Sequence, residues 1–230
     1  MDDIKTQMID FASNEHTTPG YMAHPAEAGK YPGVVVIQEW WGLVPHIKDV
    51  TERFARQGYA ALAPDLYHGQ AAGEPDEARK LAMALDIERA VQEIRAAMRY
   101  LSQSEGIPLK KVGVVGWCMG GSLSIATAAH SGADLGAAVV FYGNARNFDI
   151  VKNIRAPLLG LYAEHDHSNS LEFVHNFEEA LKQQGVPNEF HVYPGTEHAF
   201  FNDTRPHIYN EEAAKDAWGR TLGWFGRYLG

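Results

Sequence analysis

The sequence predicts an α/β fold in which a mostly parallel central sheet carries helices on both faces. Several β-prone segments are continuously apolar, as strands buried on both faces are; Val34–Trp40 is one of them, and Lys111–Cys118 is the most strand-like. Segments with helical spacing alternate with these strands, which is the pattern of strand–helix–strand units. Because the 230 residues contain no repeat, low-complexity tract or linker, we expect residues 1–230 to form a single domain.

The first half of the chain holds four predicted strands and a long amphipathic region. The strands follow apolar and β-branched runs and are predicted at Lys5–Phe11, Thr17–His24, Val34–Trp40 and Tyr59–Leu66. The polar stretch SNEHTT predicts a turn between the first two strands. A helix is predicted over Asp49–Gln57, where Val50 and Phe54 are four residues apart, and Gly58 ends it. Apolar residues recur at turn-like intervals over Pro75–Gln103, which predicts one helix or two.

The second half alternates four further strands with helices. The strands are predicted at Lys111–Cys118, Leu135–Gly143, Ala156–Asp166 and Asn188–Gly195. Small residues after Gly120 predict the start of a helix, and two more helices are predicted at Ser170–Gln184 and Glu211–Leu229.

The composition limits the possible partners and compartment. The formal net charge of −9 argues against nucleic-acid binding, which needs a basic face, and offers no attraction to an anionic membrane surface. No run approaches the roughly 18 consecutive apolar residues of a membrane-spanning helix. The first residues lack the features of a signal peptide, and a single cysteine suits a reducing compartment. We therefore expect a cytoplasmic protein without a nucleic-acid or membrane partner.

The single cysteine, Cys118, lies in the segment GVVGWCMGGSLS between a predicted strand and a helix of small residues. A sharp strand-to-helix turn strains its central residue and needs glycine where side chains would collide, as at Gly116, Gly120 and Gly121. Such a turn presents the thiol above the sheet edge, and the helix N-terminus favours the thiolate. The Met119 amide would then donate to an oxyanion. The alternative is a cysteine that is merely buried at a tight glycine turn.

Acyl transfer by a thiolate needs a histidine and a carboxylate that fixes the tautomer of that histidine. Asp166 follows one predicted strand and His198 follows the last, which gives the chain order nucleophile, acid, histidine. Asp166 could instead cap a helix that begins near Asn169, and His198 could be a solvated loop histidine, one of 11 in the chain. Adjacent residues such as His165–His167 rarely converge on one metal ion, so we expect no metal site there.

Glu39 lies in the segment QEWWG at the end of a predicted buried strand, where a carboxylate without a partner is costly. Near the thiol it could hold the resting cysteine protonated or help to move the thiol proton. A salt bridge to an arginine is the structural alternative. The Trp40 amide, in the loop after this strand, is the natural second donor to an oxyanion.

Together these segments resemble the dienelactone hydrolase family. The matching segments are VVVIQEWWG, YAALAPDLYHG, GWCMGG, YAEHD and GTEHAFFND, and they run from about Gly33 towards the C-terminal helix. The resemblance implies an α/β-hydrolase fold without a large cap domain and a triad of Cys118, His198 and Asp166. It also implies that Glu39 interacts with the resting thiol and releases it when substrate arrives. The family's named activity is hydrolysis of dienelactone (carboxymethylenebutenolide) to maleylacetate, without a cofactor or metal.

The chain departs from the family where the substrate carboxylate would bind. Members from chlorocatechol pathways hold that carboxylate with two arginines, one before the long helix and one four residues beyond the catalytic histidine. Asn202 takes the second position here, although Arg205 is close. Pro75 lies about where the first arginine should be, and Arg79 is the nearest substitute. We therefore expect ester or lactone hydrolysis with a preference for neutral substrates over dienelactone.

Four residues are candidates for the substrate pocket: Arg205, Asn202, Tyr67 and Tyr142. Trp40 and Trp117 flank the predicted site and favour an apolar acyl or alcohol group. Two other classes of function fit less well. A non-catalytic ligand-binding module is disfavoured by the intact triad, and a redox sensor by the lack of a resolving cysteine. The physiological substrate and the oligomeric state stay open.

Overall fold

A computed structural model describes residues 3–13, 16–103, 112–145 and 147–230. Its strands are β1 (Ile4–Ser13), β2 (His16–Pro25), β3 (Gly33–Ile37), β4 (Ala60–Pro64), β5 (Val112–Trp117), β6 (Leu135–Phe141), β7 (Leu158–His165) and β8 (Asn188–Glu197). These strands form one sheet in the order β1-β2-β4-β3-β5-β6-β7-β8. β2 pairs antiparallel with β1 and β4, and every other neighbouring pair is parallel, which confirms the mostly parallel sheet.

Helices cover both faces of the sheet, as predicted. They are α1 (Pro45–Arg56), α2 (Pro75–Ala84), α3 (Ile87–Gln103), α4 (Met119–Ser131), α5 (Leu171–Gln183) and α6 (Glu211–Leu229). The hydrophobic core under one face includes α1 and α6, and the core under the other includes α3, α4 and α5. Two short 3-10 helices, Gly132–Asp134 and Phe148–Asn153, are not evident from the sequence. No described helix is long and apolar enough to cross a membrane.

The two cores follow from the alternation of side chains along each strand. In β3, Val34 and Val36 join the core with α1 and α6, whereas Val35 and Ile37 join the core with α3 and α4. All five residues of β3 are buried. This double burial is the physical reason for the continuous apolar run in the sequence.

Element boundaries differ from the prediction at two places near the site. β3 ends at Ile37 instead of Trp40 because the start of α4 passes over the end of this strand. A Cβ atom on Gly120 would lie 2.4 Å from the Ile37 carbonyl oxygen. α1 begins at Pro45, four residues before the predicted start, since proline has no N–H to lose in a first helical turn.

The other predicted segments fall close to their observed elements. The long amphipathic region divides into α2 and α3, and no separate cap domain interrupts the described part of the chain. β1 and β2 take up both ends of the segment SNEHTT, in which a turn was predicted, since β1 ends at Ser13 and β2 begins at His16. Residues 14 and 15 lie outside the described residues, as does Lys111 at the start of a predicted strand.

Candidate active site

Cys118 lies between β5 and α4, at the edge of the sheet where the parallel strands end. Its backbone has φ 57° and ψ −117°, and a positive φ is strained for a residue that has a side chain. The Cys118 N–H donates to the Phe141 carbonyl over 3.0 Å, and the Cys118 carbonyl accepts from the Ser122 N–H over 3.1 Å. The side chain is partly exposed. This turn therefore holds the thiol at a fixed point above the sheet edge.

The glycines beside Cys118 allow backbone segments to touch. A Cβ atom on Gly116 would lie 2.1 Å from the Gly120 carbonyl oxygen, and one on Gly121 would lie 2.6 Å from the Phe141 carbonyl oxygen. Neither distance allows a side chain. The prediction that this turn requires glycine at these positions is confirmed.

His198 directly follows β8, and Asp166 directly follows β7. His198 Nδ1 lies 2.8 Å from Asp166 Oδ2, and the Asp166 side chain is fully buried, whereas 28% of the His198 side chain is exposed. Burial alone would raise the pKa of Asp166, but the hydrogen bond from His198 and neighbouring donors lower it overall. Because an ionised carboxylate only accepts hydrogen bonds, Nδ1 carries a proton and Nε2 is the nitrogen available to the Cys118 thiol.

The surroundings of His198 favour its protonated form. Burial lowers the pKa of His198, but the Asp166 carboxylate and the Cys118 thiol outweigh burial and raise that pKa to about 10. The Tyr142 ring packs against the imidazole with ring centroids 4.9 Å apart and restricts its orientation. A protonated imidazole next to Cys118 is the arrangement that a thiolate–imidazolium pair would require.

Asp166 is anchored by Asn169, which was not singled out in the sequence. The Asn169 side-chain amide donates to Asp166 Oδ2 over 2.8 Å and to the Tyr142 carbonyl oxygen over 2.9 Å. The N–H groups of Ser168 and Asn169 donate to Asp166 Oδ1 over 2.8 and 3.2 Å. Asp followed by Ser and Asn two and three residues later is typical of such a turn, and this spacing is the signal that could have identified it.

The structure argues against a helix-cap role for Asp166 and gives the neighbouring Glu164 a different partner. α5 is capped by Ser170, whose Oγ accepts from the Phe173 N–H over 3.1 Å, so the helix-cap alternative for Asp166 is wrong. Glu164, the other nearby carboxylate, accepts from the Gly195 N–H over 2.8 Å and ties β7 to β8. Within the described ranges, no group of three or more His, Cys, Asp and Glu residues is placed to hold a metal ion.

Glu39 lies two residues beyond β3 and is only 2% exposed. Its Oε2 accepts from the Asn202 side-chain amide over 2.7 Å. Burial raises the pKa of Glu39 and outweighs the opposing effects of His46 and of the Asn202 hydrogen bond. His198 and Arg205 also lower this pKa, so the Glu39 carboxyl group lies within electrostatic range of the candidate base.

A cavity of about 600 Å³ opens over the thiol and the imidazole. Most of its wall is apolar, with contributions from Trp40, Ile87, Ile125 and Ile150. Its polar wall consists of Cys118, Ser122, Asn144, Asn147, Ser168 and His198. Among the residues that the structure describes, no Asp, Glu, Lys or Arg lines this cavity. The cavity therefore suits a small and largely apolar molecule.

The aromatic candidates occupy different places. Tyr142 lines the cavity, but Tyr67 does not, because its buried hydroxyl is turned to the Trp40 carbonyl. Trp40 lines the cavity as expected. Trp117 does not, since it is fully buried and stacks on Phe141 with ring centroids 5.0 Å apart. The expectation that Trp117 flanks the site is therefore wrong, because its strand turns that side chain into the core.

The polar candidates lie around the cavity instead of on its wall. Asn202 is buried against Glu39, where its amide serves as a hydrogen-bond donor. Arg205 is half-buried and lowers the pKa of Glu39, although it is not on the cavity wall. Arg79 pairs with Asp76 over 3.2 Å on the exposed side of α2. None of these three polar side chains therefore reaches the cavity.

Comparisons with known proteins find related sequences and a similar fold. Residues 18–229 match the dienelactone hydrolase family. "Protein usf" of Aquifex pyrophilus is 36% identical over 231 residues, which cover 97% of this chain and 99% of that protein. A protein of Aquifex aeolicus named "Putative carboxymethylenebutenolidase" is 33% identical, with 97% and 99% covered. The crystal structure of a "Putative Dienelactone Hydrolase" from Klebsiella pneumoniae has a TM-score of 0.91 at 32% identity and covers 99% of this chain and 100% of that chain.

Proposed function

The chain belongs to the dienelactone hydrolase family, and we propose that it hydrolyses small carboxylic esters or lactones through a thioester on Cys118. One observation carries the proposal. Cys118, which lies on a strained turn, and His198 line the same cavity, and His198 Nδ1 lies 2.8 Å from Asp166 Oδ2. Nucleophilic acyl transfer requires this set of groups. We also propose that residues 1–230 act as one domain, because the eight strands form one sheet.

In the first half of the reaction the Cys118 thiolate attacks the acyl carbon and moves the carbonyl electrons onto oxygen. The amides of Met119 and Trp40 donate hydrogen bonds to this oxyanion. When the oxyanion collapses, the bond from the acyl carbon to the alcohol oxygen breaks, and His198 gives its Nε2 proton to that oxygen. The products are a thioester and an alcohol, which in a lactone stays attached to the acyl chain.

In the second half, neutral His198 takes a proton from a water molecule as that water attacks the thioester. The second oxyanion collapses, the carbon–sulfur bond breaks, and the carboxylic acid leaves as the thiolate is restored. Asp166 keeps Nδ1 of His198 protonated, so that Nε2 alone exchanges protons. We further propose that Glu39, whose pKa burial raises, interacts with the thiol in the resting state.

Asp166→Asn is expected to preserve the fold and to lower kcat by at least about a hundredfold, because the amide no longer selects the His198 tautomer with hydrogen on Nδ1. Glu164→Gln is the matched control, since it changes the neighbouring carboxylate that accepts from Gly195. Steady-state hydrolysis of p-nitrophenyl acetate measures both variants. A near-normal Asp166→Asn enzyme beside an inactive Glu164→Gln enzyme would transfer the role of acid to Glu164.

The substrate class that we propose is neutral short-chain esters. A carboxylate that enters a partly desolvated pocket needs a charged partner, and a pair of arginines would supply oriented hydrogen bonds. Among the described residues, no lysine or arginine lines the cavity, and Arg79 is paired on the surface of α2. We therefore expect kcat/KM to be higher for p-nitrophenyl acetate than for dienelactone.

Arg205→Ala tests this preference, because Arg205 is the cation nearest in sequence to the family's second arginine. Hydrolysis of the neutral ester should change by less than about tenfold, or under roughly 1.4 kcal/mol in transition-state binding. Arg79→Ala is the companion variant, since Arg79 is the nearest substitute for the family's first arginine. A preference for dienelactone that collapses in either variant would contradict the neutral substrate class. Loss of turnover after iodoacetamide would tie either activity to the thiol.

A further inference from the structure

Tyr67 touches both residues that supply the proposed oxyanion donors. Its hydroxyl donates to the Trp40 carbonyl over 3.1 Å and lies 3.5 Å from the Met119 sulfur. The carbonyl is the stronger acceptor, so the single hydroxyl proton belongs to it, and the sulfur is a packing contact. Burial raises the pKa of Tyr67 to about 12, so the hydroxyl keeps its proton and stays a donor. Tyr67 therefore connects two segments that are distant in sequence.

The position of Tyr67 is itself fixed by a buried carboxylate. The Tyr67 N–H donates to Asp65 Oδ1 over 3.1 Å, and the Gly69 N–H donates to Asp65 Oδ2 over 2.7 Å. An aspartate that accepts from amides further along its own chain closes a compact turn. This turn sets the direction in which the Tyr67 ring leaves the backbone.

The same loop is tied to the segment after β3. The Leu66 N–H donates to Gln38 Oε1 over 3.2 Å, and the Ala72 N–H donates to the Trp41 carbonyl over 2.9 Å. These bonds hold the backbone on both sides of Trp40. The Tyr67 hydroxyl adds a hydrogen bond to Trp40 itself. Among the groups that form these bonds, it is the one that also contacts α4, through Met119.

We propose that Tyr67 is a positioning residue for the oxyanion hole, because its hydroxyl fixes the Trp40 backbone relative to Met119 at the start of α4. The inference rests on the proposed hydrolase function. Oxyanion donors lower the barrier only when they are aimed at the point where charge develops, so a small displacement of one amide costs rate. Tyr67 does not line the cavity, so it acts through Trp40 and not on the substrate.

Tyr67→Phe removes one oxygen atom and keeps the ring that fills the space. The expected result is a fall of about tenfold in kcat for p-nitrophenyl acetate with KM changed by less than about twofold, since misaimed donors weaken transition-state stabilisation more than substrate binding. The rate at which iodoacetamide labels Cys118 should stay within about twofold of the wild-type rate, because alkylation forms no oxyanion.

An aryl trifluoromethyl ketone supplies a second readout. The thiolate adds to its carbonyl carbon, the carbonyl electrons move to oxygen, and no group leaves, so the adduct holds an oxyanion in the hole. Its inhibition constant should rise in Tyr67→Phe by the same factor by which kcat/KM falls, as expected of a transition-state analogue. A structural role alone would not produce this match.

Tyr193→Phe is the matched control. Tyr193 is 9% exposed, close to the 5% of Tyr67, and its hydroxyl donates to Asp216 over 2.8 Å. Its loss should leave kcat and the inhibition constant within about twofold of wild type, since this bond joins β8 to α6 away from the donors. If Tyr67→Phe does not fold, Asp65→Asn takes its place, because it weakens the turn that holds Tyr67 and should lower kcat in the same way.

The outcomes separate this role from the proposed function. A wild-type protein without ester turnover would overturn the hydrolase proposal and the role of Tyr67 with it. An active wild type whose Tyr67→Phe variant keeps its kcat and inhibition constant would overturn the role of Tyr67 alone. So would a change confined to KM, or slower labelling of Cys118 in the variant.

Discussion

Replacing Cys118 with alanine is expected to lower kcat for activated esters by at least about a thousandfold, because the variant has no group that can form the covalent intermediate. The fold should survive, since alanine is smaller than cysteine and adopts the same backbone at similar cost. Steady-state hydrolysis of p-nitrophenyl acetate measures the loss, and circular dichroism with thermal unfolding checks the fold.

Cys118→Ser is the closest control for Cys118→Ala. A serine hydroxyl fits the turn but is far less acidic than a thiol, and a base suited to a thiol does not activate it well. The serine variant should therefore also be poor. A folded Cys118→Ala protein that keeps more than a tenth of wild-type activity would remove Cys118 from the mechanism.

His198→Ala is expected to have two separate effects. Ester hydrolysis should fall by at least about a thousandfold, because no group remains to protonate the leaving oxygen or to activate water. Labelling of Cys118 by iodoacetamide at neutral pH should also slow by at least about tenfold, because the thiolate loses its imidazolium partner. The second effect follows from the pKa of His198. Burial lowers this pKa, but Asp166 and Cys118 raise it to about 10, so that the imidazole is protonated at neutral pH.

His165→Ala is the control, since His165 is a nearby histidine whose side chain is 63% exposed and pairs with Glu164. Both rates should stay at wild-type values in this variant. Rapid labelling of Cys118 in a folded His198→Ala protein would show that another group favours the thiolate. The thiolate–imidazolium pair would then have to be abandoned.

The sequence predicted which residues meet at the sheet edge where one residue follows one strand. Cys118, Asp166 and His198 each come directly after a run of apolar residues that forms a strand, and parallel strands bring such positions to one edge of the sheet. The need for glycine at Gly116 and Gly120 was also predictable, because a sharp turn leaves no space for side chains. These inferences depend on local pattern and on topology alone.

Contacts between distant side chains were not predictable in this way. Asn202 was expected at the substrate, yet it donates to Glu39, from which it is 163 residues distant in sequence. Tyr67 was likewise a pocket candidate but serves the backbone of Trp40. Trp117 was expected beside the cavity. Side chains alternate between the two faces of a strand, however, and at the position of Trp117 in β5 the side chain faces the core. The direction of a side chain at the end of a strand depends on packing against residues that are distant in sequence, and the local sequence pattern does not reveal that packing.

The central claim is that the acyl group passes through the sulfur of Cys118. Nitrophenolate leaves readily, so acylation should outrun attack by water and the thioester should accumulate during turnover of p-nitrophenyl acetate. The mass of the intact protein, quenched in acid during turnover, should then increase by one acetyl group in place of a hydrogen. Fragmentation should locate that group on Cys118, and Cys118→Ala should not gain it. Steady turnover with no acetyl group on the protein, or with the group on Ser122, would contradict the claim.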